Sequence, residues 1–261
     1  MSGFSAAWLD LREPADRAAR DPALLQAVAG HLHHRSRVTV LDLGCGSGAS
    51  VRALAPSLPA TQRWRLLDHD PALLALACTR IGDAVPVQAH AQDLRALDAL
   101  PLDSADLVTA SALFDLAGHD WIDALAARLQ QAGAALYAAL NYDGTMQWTP
   151  ALDDDAAVLA AFNAHQRRDK GLGQALGPDA ARELARRLAA RGFQVRSAPS
   201  PWRLRPDQAE LHRALLRGIA EAVRETGQLP DHALQAWLAQ RLALADRAEC
   251  VVGHVDLFAW R

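Results

Sequence analysis

The residues Val38-Thr39-Val40-Leu41-Asp42-Leu43 run into Gly44-Cys45-Gly46-Ser47-Gly48, and a helical stretch over 49–58 follows. An apolar, β-branched run, then three glycines in five residues, then helix formers: this order predicts a strand, a tight turn and a helix. Such a turn lets backbone approach a ligand at the edge of a sheet. Two phosphate-binding versions of the turn are excluded. The dinucleotide fingerprint needs GxGxxG, and the Walker loop needs a lysine and a hydroxyl residue after its last glycine; neither is present. Asp42, just before the glycines, repels a pyrophosphate and attracts an ammonium group.

The rest of the chain repeats the same rhythm. Residues 64–68, 85–89, 105–110 and 133–140 read as short strands separated by Ala/Leu-rich helical stretches, which predicts a parallel sheet. Asp70-Pro71 marks the start of a helix over 72–80, closed before Gly82. Pro178-Asp179 opens a helix to Arg191, Gly192 ends it, a strand over 193–197 follows, and 249–260 alternates as a last strand. A hydrophobic fraction of 51% in 261 residues is enough for one α/β domain. Two segments break the rhythm, about 143–177 and about 203–248, the second with helices over 208–225 and 232–246. They are expected to be helical insertions forming a substrate cap, with residues 1–36 as an N-terminal helical lid.

Twenty residues beyond the glycines, Asp68 ends the second strand, where a carboxylate accepts the hydroxyls of a ribose. Gln92-Asp93-Leu94 follows the third strand, offering a carboxylate to an exocyclic amine and a leucine to a ring. Acidic residues at three successive strand ends describe a ligand with an ammonium group, a ribose and an adenine.

On VLDLGCGSG (40–48), LLDHDP (66–71), QDL (92–94) and DLVTASALFDL (106–116), the chain resembles the class I S-adenosylmethionine-dependent methyltransferases. The resemblance implies a three-layer, Rossmann-like α/β fold whose seven-stranded, mostly parallel sheet has its last strand antiparallel. It implies S-adenosylmethionine as cofactor, with Asp42, Gly44, Cys45, Gly46 and Gly48 at the methionine end and Asp68 on the ribose. His69 then neighbours the adenine, Asp93 and Leu94 hold it, and Ser111 lies beside the sulfonium. The inserted segment before the last strand departs from the family, whose sheets commonly close there with a short hairpin.

Methyl transfer requires an aligned nucleophile, and a base only where the acceptor loses a proton. Three residues are candidates for that chemistry: His165 in the first insertion, His119 after the fourth strand, and Tyr142 after the fifth. Each has a plainer account as a helix, cap or turn residue. Arg12, on one helical face with Trp8 and Asp16, is positioned as a lid residue over the cofactor carboxylate, or pairs with Asp16. Arg167, Arg168 and Lys170 form a positive run suited to an acidic substrate group or to a solvated helix end. Trp148, Trp202 and Trp237 are placed to wall an apolar acceptor or to pack. His31, His33 and His34 lack a further ligand, so no metal is expected.

A formal charge of −3 gives no field for a polyanion. The Asn-Pro-Pro-Tyr type motif that accompanies base methylation is replaced by Ser111-Ala112-Leu113-Phe114-Asp115, so a small-molecule acceptor is expected rather than nucleic acid, with a mild preference for O-methylation. Three scattered cysteines fit a reducing cytoplasm, and no stretch of membrane-spanning length lacks a charge. A non-catalytic S-adenosylmethionine-binding sensor or partner protein is the alternative, recognisable by the lack of an open pocket beside Ser111 and Tyr142. The oligomeric state is not legible in the sequence.

Overall fold

In the computed structural model, which describes residues 5–261, side chains of the first strand alternate between two cores. The chain begins with α1 (Ala6–Ala19) and α2 (Pro22–Leu32), then runs β1 (Val38–Leu43), α3 (Ala49–Leu54), β2 (Gln62–Asp68), α4 (Pro71–Ile81), β3 (Val87–Ala91) and β4 (Leu107–Ser111). It continues through α5 (His119–Ala132), β5 (Ala135–Thr149), α6 (Asp155–Gln166), α7 (Ala180–Ala190), β6 (Gln194–Pro199) and β7 (Trp202–Leu204). The final elements are α8 (Ala209–Thr226), α9 (Asp231–Leu244) and β8 (Glu249–Trp260).

Val38 and Val40 face a cluster with Leu54, Leu74 and Ile81, and Leu41 and Leu43 face one with Ile122, Leu125 and Leu184. A strand buried on both faces needs helices above and below, which gives three layers. The main path of the sheet has seven strands in the order β3-β2-β1-β4-β5-β8-β6, with β1 to β5 parallel and β8 antiparallel between β5 and β6. This is the expected topology. The short β7 is an addition, pairing with β8 at Cys250–Val252. Helix α4 is specified locally: the Asp70 carboxylate accepts the Ala72 and Leu73 N–H groups, Pro71 opens the first turn, and Gly82 ends the helix.

The two insertions begin differently from the sequence reading. Residues 143–149 continue β5, and Met146–Thr149 pair with Glu249–Val252 of β8. The alternating burial of Met146 and Trp148 rewards extension of the strand, and β8 supplies its backbone partners. The second insertion likewise opens inside β7. The first four residues of the expected lid lie outside the described residues, and α1 and α2 form the remainder.

Beyond these strands, α6, α8 and α9 pack with part of α1 in a third cluster containing Val158, Ile219, Val223 and Trp237. Its polar anchor is Arg241, fully buried on α9. This arginine forks onto the Asp155 carboxylate and donates to the Pro150 carbonyl at 2.8 Å. Trp237 donates to the same carboxylate at 2.9 Å. Trp148 and Trp237 stack edge to face in this cluster, while Trp202 lines a cavity.

Candidate functional site

Gly44, Gly46 and Gly48 take left-handed φ values of +63°, +51° and +82°, which L side chains rarely adopt. A side chain at Gly46 would also come within 3.1 Å of Leu9 on α1. The turn is pinned by Asp68, whose buried carboxylate accepts the Gly46 N–H at 2.8 Å and the Asp70 N–H at 3.0 Å. His69 Nδ1 stands 3.3 Å from the same group.

Above the turn lies a crevice of about 300 Å³. It brings together Gly44, Cys45, Gly46, Asp68, His69, Asp93, Leu94, Ser111 and Arg12, along with Leu9 and Asp16 of α1. Leu73, Leu94 and Leu113 give it an apolar side. Asp93 is half-exposed and bonded by its own neighbour: Arg95 donates to it through backbone and guanidinium, which lowers its carboxyl to about 2.

Two of the expected residues do not line the crevice. Gly48 faces α4, where a Cβ would sit 3.0 Å from Ile81 and 3.2 Å from Ala77; its part is close helix packing. Asp42 lies beneath the turn, wholly buried, with no hydrogen-bond partner for either oxygen among the described residues. Burial pushes its carboxyl up to about 7, with the Arg20 guanidinium pulling the other way. The folded protein without ligand therefore holds a proton that the unfolded chain releases above its ordinary value of 3.8. The contribution of Asp42 to stability falls as pH rises from about 4 to about 7, by up to about 1.4 kcal/mol per unit, and levels off beyond. Urea denaturation of wild type and Asp42→Asn across this range is expected to show their difference growing with pH and then flattening; a constant difference would contradict the burial account.

A larger cavity of about 750 Å³ adjoins the crevice, and Arg12, Ala112, Leu116 and Gly171 wall both spaces. It lies between the strand ends and helices α6 and α8. Ala112 and Leu140 on its wall have φ of 51° and 56°, an uncommon conformation for residues with a side chain. Both are held by hydrogen bonds: the Ala112 N–H donates to the Ala139 carbonyl, and the Leu140 N–H to buried Asp256.

His165 and Tyr142 reach this cavity. The Tyr142 hydroxyl donates to Asn163 at 2.9 Å, and His165 Nε2 stands 2.9 Å from Glu225. His119 does not reach either space. It opens α5 with its ring exposed, next to Glu183 and Arg187, because α7 offers it a carboxylate on the outside of the molecule.

Arg12 is paired with Asp16 at 2.8 and 3.1 Å, as the simpler sequence account has it, but the pair is buried, with Trp202 donating to Asp16 at 2.9 Å. The positive run is largely spent on neighbours. Arg167 bridges to Asp179 and Arg168 donates to the Glu225 carbonyl, leaving Lys170 at the cavity beside His165.

Two cavity residues escaped the sequence reading. His254 is buried on β8, and burial holds its imidazole down at about 3. Strand alternation with Val252, which lines the same wall, was the available signal. Asp115, also buried, closes the fourth-strand motif. Nothing but its place in that motif marked it.

The methyltransferase-domain family profile matches residues 40–133, the stretch holding the turn, Asp68, Asp93 and Ser111. Among curated proteins none matches the chain. Among solved structures, a cyclopropane synthase from Mycobacterium tuberculosis superposes with a TM-score of 0.54 at 14% identity, covering 99% of this chain and 95% of its own. A mycolic acid cyclopropane synthase solved with S-adenosylhomocysteine gives 0.53 at 13% identity over 98% and 96%. The YcgJ protein of Bacillus subtilis gives 0.52 at 13% identity over 92% and 99%. At these identities the likeness is one of fold.

Proposed function

We propose that this chain is a class I, S-adenosylmethionine-dependent methyltransferase that transfers the methyl group to a small-molecule acceptor seated in the cavity of about 750 Å³. The observation that carries this reading is the adjacency of that cavity to the glycine crevice, with Arg12, Ala112, Leu116 and Gly171 walling both. A non-catalytic binder has no use for such a second space.

The crevice has the chemistry its cofactor needs. S-adenosylmethionine supplies a methyl group already activated on a sulfonium. Asp68 would accept the ribose hydroxyls with lone pairs left over from the turn, and Asp93, His69 and Leu94 would hold the adenine. Gly44, Cys45 and Gly46 would pass beneath the methionyl part, with a side chain at either glycine strained by its positive φ. Ser111 and Arg12 also line the crevice, where they would serve the sulfonium and the methionyl carboxylate. Asp42, buried beneath the turn, would act from below only once ionised, and Gly48 through packing.

Tyr142 and His165 position the acceptor, and a hydroxyl acceptor is preferred because protonatable groups surround it. The reading places the enzyme in the cytoplasm, without nucleic acid or membrane as partner. It draws support from the net charge of −3, from three free thiols, and from the lack of any described helix long and apolar enough to cross a membrane.

Incubation with S-adenosylmethionine carrying a trideuterated methyl group tests the reading. Mass spectrometry is expected to find the label on a small hydroxylated metabolite, and none on added RNA, DNA or protein. Label on a macromolecule would overturn the acceptor class, and transfer of an aminopropyl or carboxymethyl group would overturn the reaction.

A further inference from the structure

We propose that Asp115 takes the acceptor's proton, and that the acceptor is an uncharged, ring-sized molecule presenting a hydroxyl group to that carboxylate; this rests on the methyltransferase reading above. Asp115 lies four residues beyond Ser111, lines the acceptor cavity and is 7% exposed. Its Oδ1 has no hydrogen-bond partner among the described residues. A buried carboxylate with an unpaired oxygen is costly in a folded protein, and a hydroxyl donor seated in the cavity that Asp115 lines would offset that cost. The nearest countercharge, Arg12, is already engaged by Asp16 on both of its bonded nitrogens.

The other titratable groups facing the cavity serve less well. His165 is taken up by Glu225 and crowded by Lys170, 3.2 Å from its Nδ1. The Tyr142 hydroxyl donates to Asn163, and burial raises its pKa. His254 is held neutral, and burial makes it a poor proton acceptor. Burial pushes the Asp115 carboxyl up to about 6, so it is ionised near neutrality and still able to hold a proton during the reaction.

The walls define the body of the acceptor. Trp8, Tyr142, Phe162 and Trp202 supply aromatic surface for an apolar ring. Asp115, Asp169, Glu221 and Glu225 outnumber Arg12 and Lys170 around the space, which disfavours an anion. In the step itself, the acceptor oxygen forms its bond to the methyl carbon while the carbon–sulfur bond breaks with its electron pair going to sulfur. The hydroxyl proton passes to Asp115, which later returns it to water.

The test uses 4-nitrophenol, whose neutral and ionised forms absorb at different wavelengths, added to the full chain saturated with S-adenosylhomocysteine. A phenol donating to an anionic carboxylate is stabilised in its neutral form, so the bound probe's spectrum is expected to shift towards the neutral species. Asp115→Asn is expected to weaken probe binding about tenfold and to abolish that shift, while leaving S-adenosylhomocysteine affinity unchanged. Gly218→Phe on α8, where an added Cβ meets nothing within 4 Å, is expected to fill the cavity and block the probe, again sparing S-adenosylhomocysteine. The anionic analogue 4-hydroxy-3-nitrobenzoate is expected to bind about tenfold more weakly than 4-nitrophenol.

A wild-type protein that binds S-adenosylhomocysteine but not the probe, or an identical spectral shift in Asp115→Asn, overturns the proposal. Equal or tighter binding of the benzoate overturns its charge assignment. Should Asp115→Asn fail to fold, the wild-type spectrum and Gly218→Phe decide the matter. Failure of wild type to bind S-adenosylhomocysteine removes instead the methyltransferase reading beneath it.

Discussion

Asp68→Ala is expected to lower affinity for S-adenosylhomocysteine at least about a hundredfold, because on the proposed reading this carboxylate would hold the ligand as well as the turn beneath it. It accepts the Gly46 N–H at 2.8 Å and the Asp70 N–H at 3.0 Å from a buried position. Hydrogen bonds to charged groups are worth about 1.5–3 kcal/mol each, and about 1.4 kcal/mol is a tenfold change in affinity, so losing the ribose contact and the pinned turn together exceeds a factor of a hundred. Asp68→Asn keeps one carbonyl acceptor and is expected to fall between the two. Calorimetric titration checks this ordering, and an alanine variant within threefold of wild type would show that the turn is not held from strand β2.

The second large effect concerns stability. Asp155→Ala is expected to cost about 3–5 kcal/mol of unfolding free energy, since it leaves the Arg241 guanidinium buried without its carboxylate. The loss spreads, because Trp237 and the Leu152 N–H also donate to Asp155. The double variant Asp155→Leu/Arg241→Met, which removes both charges and keeps apolar volume, is expected to recover most of the loss. Urea denaturation measures both. A cost below about 1 kcal/mol for the single variant would mean that the guanidinium reaches water and that the cluster of α6, α8 and α9 is looser than its packing suggests.

The crevice was legible in the sequence because its parts are local. Left-handed glycines, a carboxylate closing a strand and an Asp-Pro helix start are each fixed within a few residues, and β1 was readable to its ends at Val38 and Leu43. The same locality misplaced Asp42. Strand alternation sends it to the face of Val38 and Val40, beneath the turn rather than towards the ligand.

The larger cavity was hardly legible, since it is assembled from the segment after β4 and from β5, β7, β8, α1, α6 and α8, elements whose meeting depends on tertiary packing. His119 and His165 look alike as histidines near insertions, yet Glu183 draws one outside while Glu225 holds the other at the cavity. Trp202 reaches the cavity wall and Trp237 the interior of the cap for the same kind of reason: the partners are far away in sequence.

The most direct test of the central claim is a crystal structure of the full chain with S-adenosylhomocysteine. The account predicts the ribose hydroxyls on Asp68, the base between Leu94 and His69, and the sulfur directed past Ala112 towards the cavity that Asp115 lines. A ligand bound elsewhere, or an Asp68 carboxylate turned away from the sugar, would contradict it.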